Sequence, residues 1–327
     1  MRRCFVCDAA MLGPTTRRLI FSGGRERAFP RACQSCGVLL ADAADRSACR
    51  EHLTHRLAAP VFESDFEAPY GLDLYTLRTA ATRLGLGIRP LDAAGSAALR
   101  HPHDDHAARA GLAALAGEGR RPVSLGLLCR PAECDSVLAA LPGQGGWTDD
   151  IVVLLDGPAS APRTVPVAGF PDGAVRVAAR PLGGDFAAQR NALQDLARHG
   201  WMLQLDADES LSPETGLLMP ALAALAEAGE GVSVGFARAN RVDGVLSDVF
   251  PDVQYRLNRR SVRFAGRVHE RPVLEGGWPR GFISLHGPIV HHLSGAHVRA
   301  RSRRYEALDP GRGRPEEEEA LLRPYAE

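Results

Sequence analysis

Residues Gly200–Glu209 read GWMLQLDADE, and this stretch decides the fold. The apolar run Trp201–Leu205 has the length of one buried strand, and acidic residues follow it directly. Upstream lie three more short apolar runs, at Val123–Cys129, Ile151–Leu155 and Ala174–Ala179. Continuous apolar runs of this length are typical of strands that are buried on both faces, as in parallel sheets. The sequence therefore predicts four strands of a mostly parallel sheet.

Helical segments separate these strands. Glu133–Leu141 can form one helix, and Asp185 is placed to cap a second helix that Gly200 would end. Alternating strands and helices favour right-handed crossovers, and ligands of such sheets bind beyond the carboxyl ends of the strands. Asp156 and Asp206 lie at two of those ends, so we expect a ligand site there.

The second half of the chain has a different pattern. Ser212 is placed to cap a helix that Pro220 should kink or end. Apolar residues alternate over 232–236 and again over 253–257, with the turn signal Asp243-Gly244 between them. These patterns predict strands of mixed direction. The fold class is therefore α/β: a Rossmann-like, mostly parallel sheet with a mixed second half.

Two pairs of cysteines near the start predict a metal site. Cys4 and Cys7 form one Cys-x2-Cys pair, and Cys33 and Cys36 form the other. Four thiolates at this spacing can converge tetrahedrally on Zn²⁺, whereas the alternative is a set of unrelated buried thiols. A site with four cysteines leaves no open position for substrate, so its predicted role is structural.

These patterns divide the chain into four parts. Residues 1–58 form a zinc-ribbon-like module, and the Ala-rich stretch 59–119 is a helical connector with a linker. Residues 120–305 form the main domain. Residues 306–327 are a charged tail, in which the acidic run Glu316–Glu319 is most simply a solvated helix start.

The charge balance limits the classes of partner. The 39 basic residues, all of them Arg, balance 39 acidic residues, so no global field attracts nucleic acid or an anionic bilayer, and no stable nucleic acid binding is expected. A local cluster over 299–304 could contact lipid headgroups or an acidic acceptor, although surface solubility explains it equally well. No run approaches the roughly 18 apolar residues of a membrane span, which predicts a cytoplasmic protein.

The acidic triplet after the fourth strand predicts a second metal site. Asp206 and Asp208 are two residues apart, so both carboxylates can coordinate one divalent ion. Mg²⁺ or Mn²⁺ held by few carboxylates keeps positions open for phosphate oxygens. The alternative is a solvated loop that caps a helix.

Several motifs occur together in a fixed order. They are GDFAAQRNAL at 184–193, the stretch at 200–209, RLNRR at 256–260, FAGRVHE at 264–270 and HHL at 291–293. In this order they resemble inverting glycosyltransferase family 2, in particular the bacterial branch similar to lipopolysaccharide-core glucosyltransferases. The resemblance covers about residues 120–305. It implies a GT-A fold, a nucleotide-sugar donor, a divalent cation, and transfer with inversion to a glycan, glycolipid or small-molecule acceptor.

The resemblance also implies roles for individual residues. Asp206 and Asp208 would hold the metal and the diphosphate, and Asp156 would face the nucleoside. Arg190 and Asn191 would belong to the donor-binding set.

Two further roles stay open between alternatives. Glu270 is the candidate general base, or else it forms a surface ion pair with Arg267 or Arg271. His291 or His292 is a candidate third metal ligand, or else a structural histidine.

Two loops depart from the family pattern. Arg130–Glu133 stands where the family has a Lys-Asn-Glu-like stretch, and Asp156–Ala161 stands where it has an Asp-x-Gly-Ser-x-Asp loop. Of the acids in that second loop only Asp156 is present. The competing hypothesis is therefore a catalytically degenerate scaffold that docks a partner through its zinc ribbon.

The N-terminal part has a resemblance of its own. The paired cysteines, Asp65–Glu67, Leu74–Arg78 and Leu84-Gly85 look like segments of certain methyltransferases for sugars and natural products. The Gly-rich turn that would cradle S-adenosylmethionine is missing from this region. We interpret the stretch as a remnant that no longer methylates.

Overall fold

The computed structural model describes residues 1–117, 119–311 and 315–326, and it is a mixed α/β protein. The strands are β1 Leu12–Pro14, β2 Arg18–Ile20, β3 Glu26–Ala28, β4 Arg31–Cys33, β5 Leu39–Leu40, β6 Val61–Glu63, β7 Tyr70–Gly71, β8 Leu86–Pro90, β9 Arg109–Ala114, β10 Val123–Cys129, β11 Ile151–Asp156, β12 Ser160–Thr164, β13 Val175–Arg180, β14 Trp201–Asp206, β15 Glu209–Ser210, β16 Ser233–Val242, β17 Val245–Leu246, β18 Asp252–Arg259, β19 Arg263–Ala265, β20 Arg271–Val273 and β21 Gly281–Leu293. The helices are α1 Arg46–Leu57, α2 Leu74–Thr82, α3 Ala93–Ala98, α4 Cys134–Ala140, α5 Phe186–Leu196, α6 Pro213–Leu217, α7 Met219–Ala228, α8 Gly295–Leu308 and α9 Pro315–Leu322.

The large sheet has the predicted parallel half. Its strand order is β12-β13-β11-β10-β14-β18-β16-β21-β15, with β17 paired to β16. The neighbours β13, β11, β10 and β14 are all parallel, whereas β18 is antiparallel to both β14 and β16. The four buried strands and the mixed second half are therefore confirmed.

Helices cover both faces of the parallel strands. On one face Leu193 of α5 packs against Val152, Leu154 and Met202, and on the other Leu222 of α7 belongs to the larger core. Helix α5 lies close to the sheet at Gly126, where an added Cβ would be 2.7 Å from the Leu193 side chain. A side chain at that position would push the helix away from the sheet.

One helix prediction needs adjustment, and another is confirmed. Asp185 caps α5 as expected, because its side chain accepts a hydrogen bond from the Ala188 N–H, but the helix ends at Leu196 rather than at Gly200. The Ala197 backbone is already extended, with ψ 138°. Downstream, the predicted break near Pro220 is present: α6 and α7 are separate, and Pro220 lies in the first turn of α7, where proline needs no hydrogen-bond partner.

The stretch 59–119 contains the short helix of the predicted connector, as α2, and also α3. In place of a linker it forms a three-stranded sheet in the order β6-β9-β8. Strand β9 has the sequence RAGLAA, and its alanines favour a helix locally. Pairing with the distant strands β6 and β8 overrides that preference.

The N-terminal module is a small β structure. The sheet β1-β4-β5-β7 carries Cys33 at the end of β4, α1 packs beside the four cysteines, and β2-β3 forms a separate hairpin. Strand β7 lies beyond residue 58, so the sheet of the module continues past the predicted boundary.

Helix α2 and Arg3 both contact later parts of the chain. The Tyr75 hydroxyl of α2 donates to the Gly281 carbonyl of β21. Arg3, only 2% exposed, donates to the carbonyl oxygens of Phe250 (2.7 Å) and Ala326 (2.8 Å). The segment that carries the first cysteine is therefore fastened to the C-terminal end of the chain. Within the described residues, no helix is both long and apolar enough to cross a membrane.

Candidate active site and metal centre

The sheet register brings two predicted acids to one edge. Asp206 ends β14 and is level with Leu128 of β10, while Leu155 of β11 is level with Cys129. Asp156 follows Leu155, so both aspartates lie at the carboxyl edge with β10 between them. Two strand spacings separate their backbones by about 10 Å. This is the edge at which ligands of parallel sheets bind.

Asp206 is held by two buried arginines. Arg190 Nη2 donates to both carboxylate oxygens, at 2.9 and 3.0 Å, and Arg256 Nη2 donates to Oδ2 at 2.7 Å. Burial alone would raise the pKa of Asp206, but the charges of Arg190 and then Arg256 outweigh it and hold the pKa well below its usual range. Asp206 is therefore a permanent anion that fixes the positions of two cations.

Further charges extend this network behind Asp206. Glu209, whose side chain is fully buried, accepts hydrogen bonds from Arg256 (2.8 Å) and Arg238 (3.1 Å), and its Oε2 accepts one from the Asp206 N–H. Arg238 also pairs with Asp252, whose pKa is lowered because that charge outweighs the effect of burial. The acidic turn is thus fixed by buried ion pairs with both partners present.

Asp208 points elsewhere and meets His291. Its Oδ2 lies 3.3 Å from His291 Nε2, and Asp208 is 39% exposed in its side chain. Burial opposes ionisation of Asp208, but the hydrogen bond and charge of His291 prevail and lower the pKa of the carboxyl group. Of the predicted metal ligands Asp206, Asp208 and His291, the structure therefore brings Asp208 and His291 together, whereas Asp206 faces arginines.

A hydrogen-bond chain sets the orientation of His291. Asn240 Nδ2 donates to Asp252 Oδ2 (3.1 Å), which turns Asn240 Oδ1 toward the histidine. His291 Nδ1–H donates to that oxygen at 2.7 Å. In the neutral ring the lone pair is then on Nε2, facing Asp208. A histidine whose other ring nitrogen donates to the protein is the usual form of a metal ligand.

This arrangement fits a divalent cation with two protein ligands. A carboxylate oxygen of Asp208 and the Nε2 atom of His291 face each other. Either a proton or a shared cation can bridge these two atoms. Mg²⁺ and Mn²⁺ sites commonly have one or two protein ligands and take the rest from water and phosphate. Among the described residues, the only group of three or more metal-binding side chains is the cysteine cluster. A cation here would therefore need oxygens from a bound ligand.

A cavity of about 360 Å³ opens beside this turn. Its lining is largely charged and includes Asp206, Glu270, Arg271, Arg301 and Tyr305, whereas Asp208 and His291 lie outside the lining. Helices α8 and α9 supply part of the wall. The tail was predicted only as a solvated helix start, yet α9 contributes Leu321, which is 4% exposed, to this wall.

Glu270 lies on the cavity wall and forms an ion pair with Arg190 Nε. We predicted Arg267 or Arg271 as its ion-pair partner, but the partner in this pair is Arg190. Its side chain is 11% exposed, so it reaches the cavity while most of its surface is covered. Arg190 therefore links the carboxylates of Asp206 and Glu270.

Two other predicted donor-binding residues have backbone partners. Asp156 Oδ1 accepts a hydrogen bond from the Leu182 N–H at 2.9 Å, which leaves its second oxygen at the sheet edge. Asn191 uses both polar atoms on Phe264: Nδ2 donates to the carbonyl at 3.0 Å, and Oδ1 accepts from the N–H at 2.8 Å. Asn191 thus ties α5 to β19, and a donor-binding role for it stays a prediction.

Arg238, Asn240 and Asp252 were not predicted. Their signal was present in the sequence as polar residues two apart on otherwise apolar strands: Arg238 and Asn240 on β16, and Asp252, Gln254 and Arg256 on β18. Residues with this spacing share one face of a sheet. Without the strand pairing, however, their partners could not be identified.

The four predicted cysteines form one cluster. Their sulfur atoms all lie within 4.8 Å of one another, with Cys4 to Cys36 at 3.7 Å and Cys7 to Cys33 at 3.6 Å. A tetrahedral Zn²⁺ with bonds of about 2.3 Å places its sulfur ligands about 3.8 Å apart. The cluster therefore could bind a metal such as zinc.

Both cysteine pairs have the same backbone geometry. The N–H of residue 8 donates to the Cys4 carbonyl, and the N–H of residue 37 donates to the Cys33 carbonyl. Asp8 and Gly37 follow their pairs with φ of 65° and 87°, the left-handed conformation that closes each turn. Hydrogen bonds from Cys36, Cys4 and Cys7 lower the pKa of the Cys33 thiol, whereas hydrogen bonding within the cluster raises the pKa of Cys7 and burial raises that of Cys36.

No family model and no curated protein matches the chain. Among solved structures, S. aureus TarS 1–349 matches with a TM-score of 0.31 and 12% sequence identity, over 62% of this chain and 69% of that chain. A TM-score this low does not establish a shared fold, so the function has to be argued from the residues themselves.

Proposed function

We propose that the protein is an inverting glycosyltransferase of family 2 with a GT-A fold. The observation that carries the proposal is the Asp208–His291–Asn240 arrangement at the end of β14. It places a carboxylate oxygen of Asp208 3.3 Å from Nε2 of a histidine whose Nδ1–H is fixed by Asn240, so that the unprotonated ring would present its Nε2 lone pair to a cation. The ordered motifs at 184–193, 200–209 and 264–270 support the same family.

Asp208 and His291 would hold Mg²⁺ or Mn²⁺, which supplies positive charge to the diphosphate of a nucleotide-sugar donor. Asp206 fixes Arg190 and Arg256 beside that position. In this proposal the nucleotide occupies the sheet edge between Asp156 and Asp208. The charged cavity then receives the acceptor, a glycan, glycolipid or small molecule.

Glu270 is the proposed general base. The acceptor hydroxyl oxygen forms a bond to the anomeric carbon while the bond from that carbon to the diphosphate oxygen breaks. Glu270 accepts the hydroxyl proton, and the diphosphate leaves with the bonding electrons. Attack opposite the leaving group inverts the anomeric centre. Arg190 holds the Glu270 side chain at the cavity wall through their ion pair.

The test is release of nucleoside diphosphate from a panel of nucleotide sugars with Mn²⁺. We expect Asp208→Asn to lower the rate at least about a hundredfold, since charge stabilisation of this kind is worth a few kcal/mol. Asp195→Asn is the matched control, because Asp195 is 62% exposed and forms a surface pair with Arg263. Equal rates for wild type and Asp208→Asn would contradict the metal assignment.

The competing function is a scaffold without activity, motivated by the two departing loops. Calorimetry with nucleoside diphosphates distinguishes the two. Binding that requires Mn²⁺ and is lost in Asp208→Asn supports the transferase, whereas no binding with or without Mn²⁺ favours the scaffold.

A further inference from the structure

A second cavity, of about 260 Å³, lies where three parts of the molecule meet. One wall is the second cysteine turn, Gln34–Gly37, and another is helix α2. Tyr255 of β18 and Trp278 complete it. Tyr255 precedes Arg256 on β18, and Arg256 lines the first cavity, so the two cavities are lined by neighbouring residues of the same strand.

The lining of this cavity has no carboxylate and no guanidinium group. Burial raises the pKa of Tyr255, so its phenol is neutral at physiological pH. Burial and then the charge of Arg17 lower the pKa of His103, so its ring is neutral as well. The first cavity, with its several charged groups, has the opposite character. An uncharged ligand suits the second cavity, because its binding would not strip water from an ionised side chain or from a charge of its own.

Aromatic rings form the mouth of this cavity. Trp278 is 55% exposed, whereas Trp147 and Trp201 are 7% and 2% exposed. The Trp278 ring centroid lies 5.7 Å from that of Tyr75, at 90°, and 5.5 Å from that of His103, at 55°. An indole that is fixed by neighbouring rings and still half exposed presents an apolar surface to a ligand.

Two hydroxyl groups inside the cavity have no protein partner among the described residues. Thr76 and Thr79 line the cavity, and no hydrogen bond of either side-chain hydroxyl is found among the described residues. Neither oxygen is among the buried side-chain atoms that lack a partner, so both hydroxyls face the open space of the cavity. Gly37 keeps this space open, since an added Cβ would be 2.9 Å from Thr76 Oγ1. A ligand with several hydroxyl groups would satisfy both threonines.

We propose that this second cavity binds one uncharged sugar ring of a glycan, at a site separate from the acidic turn. A sugar ring packs its C–H faces on aromatic rings and exchanges hydrogen bonds through its hydroxyl groups, which matches Trp278, Tyr75 and the two threonines. The volume suits a single ring rather than a larger ligand. The site uses the segment 74–78, which the sugar-transfer proposal leaves without a role.

The test uses the full-length, zinc-loaded protein and four neutral probes: the methyl glycosides of glucose, galactose and mannose, and N-acetylglucosamine. Binding is measured by calorimetry and by saturation-transfer NMR. We expect at least one probe to bind saturably, and both Trp278→Ala and Thr79→Val to weaken it about tenfold or more. Leu217→Ala is the matched control, because Leu217 is 47% exposed and lies outside both cavities.

Three results would overturn the proposal. The first is that none of the four sugar probes binds saturably. Phenol is added as a fifth probe, and saturable binding of phenol alone would indicate a site for flat aromatic rings. The second is unchanged binding in both cavity variants. The third is loss of sugar binding in Asp208→Asn, which would place the sugar at the acidic turn. Sugar binding that persists without any diphosphate release would separate this site from the proposed transferase activity.

Discussion

Replacing Arg190 with methionine tests whether the acidic turn is built on buried ion pairs. Arg190 is 2% exposed and bonds to both oxygens of Asp206 and to Glu270. Methionine keeps much of the side-chain length and removes the charge. Asp206 then keeps only Arg256 as a direct partner, and Glu270 loses its ion pair with Arg190.

The expected loss of unfolding free energy follows from the burial of these groups. Removing one partner of a buried ion pair typically costs about 3–5 kcal/mol, because the other charge stays buried without compensation. The Asp206 side chain is 31% exposed, so water recovers part of that cost. We therefore expect about 3 kcal/mol at pH 7, the lower end of the range.

The pH dependence has a definite sign. The pKa of Asp206 is lowered in the folded protein, so its contribution to stability is complete above the unfolded value of about 3.9. That contribution disappears as the pH falls through the lower, folded pKa. In Arg190→Met the folded pKa is less depressed. The difference between wild type and variant should stay constant from pH 7 to about pH 5 and shrink below about pH 4.

Urea unfolding followed by circular dichroism measures both quantities. Arg263→Met is the matched control, since Arg263 and Asp195 form an ion pair with side chains 49% and 62% exposed. Exposed pairs contribute about 0–1 kcal/mol, so this variant should be nearly neutral. The reasoning is refuted if Arg190→Met costs no more than Arg263→Met, or if its cost grows as the pH falls from 5 to 3.5.

Two further predictions concern the metal and the helix that carries Arg190. The purified protein should contain one Zn²⁺ per chain by atomic emission, and Cys33→Ser should lose it and unfold the N-terminal module, while Cys134→Ser, outside the cluster, should keep it. Full zinc content in Cys33→Ser would contradict the four-sulfur site. Asp185→Ala should lower the unfolding free energy by about 1 kcal/mol in urea titrations, because it removes the cap of α5, and a neutral result would show that this helix end needs no cap.

Local patterns predicted the parallel half of the sheet because each strand there is a short apolar run. Strand β10, Val123–Cys129, matches the predicted run from end to end, and β14 extends its run only to Asp206. The same approach missed the small sheet in residues 59–119, because β9 is rich in alanine and pairs with strands distant in sequence. The cysteine cluster was predictable because spacing alone restricts where four thiols can meet.

The acidic turn was only half predictable, and the reason is its charge partners. A sequence shows two carboxylates after a strand, but the role of each carboxylate depends on which positively charged side chains contact it. Two arginines from α5 and β18 bind Asp206, while β21 brings a histidine to Asp208. Asp206 is thereby committed to positioning guanidinium groups, whereas Asp208 faces His291, a partner suited to a metal. If a divalent cation binds at this turn, the geometry favours Asp208 and His291 over a chelate by both aspartates, since a metal on Asp206 would first have to displace two charge-paired arginines.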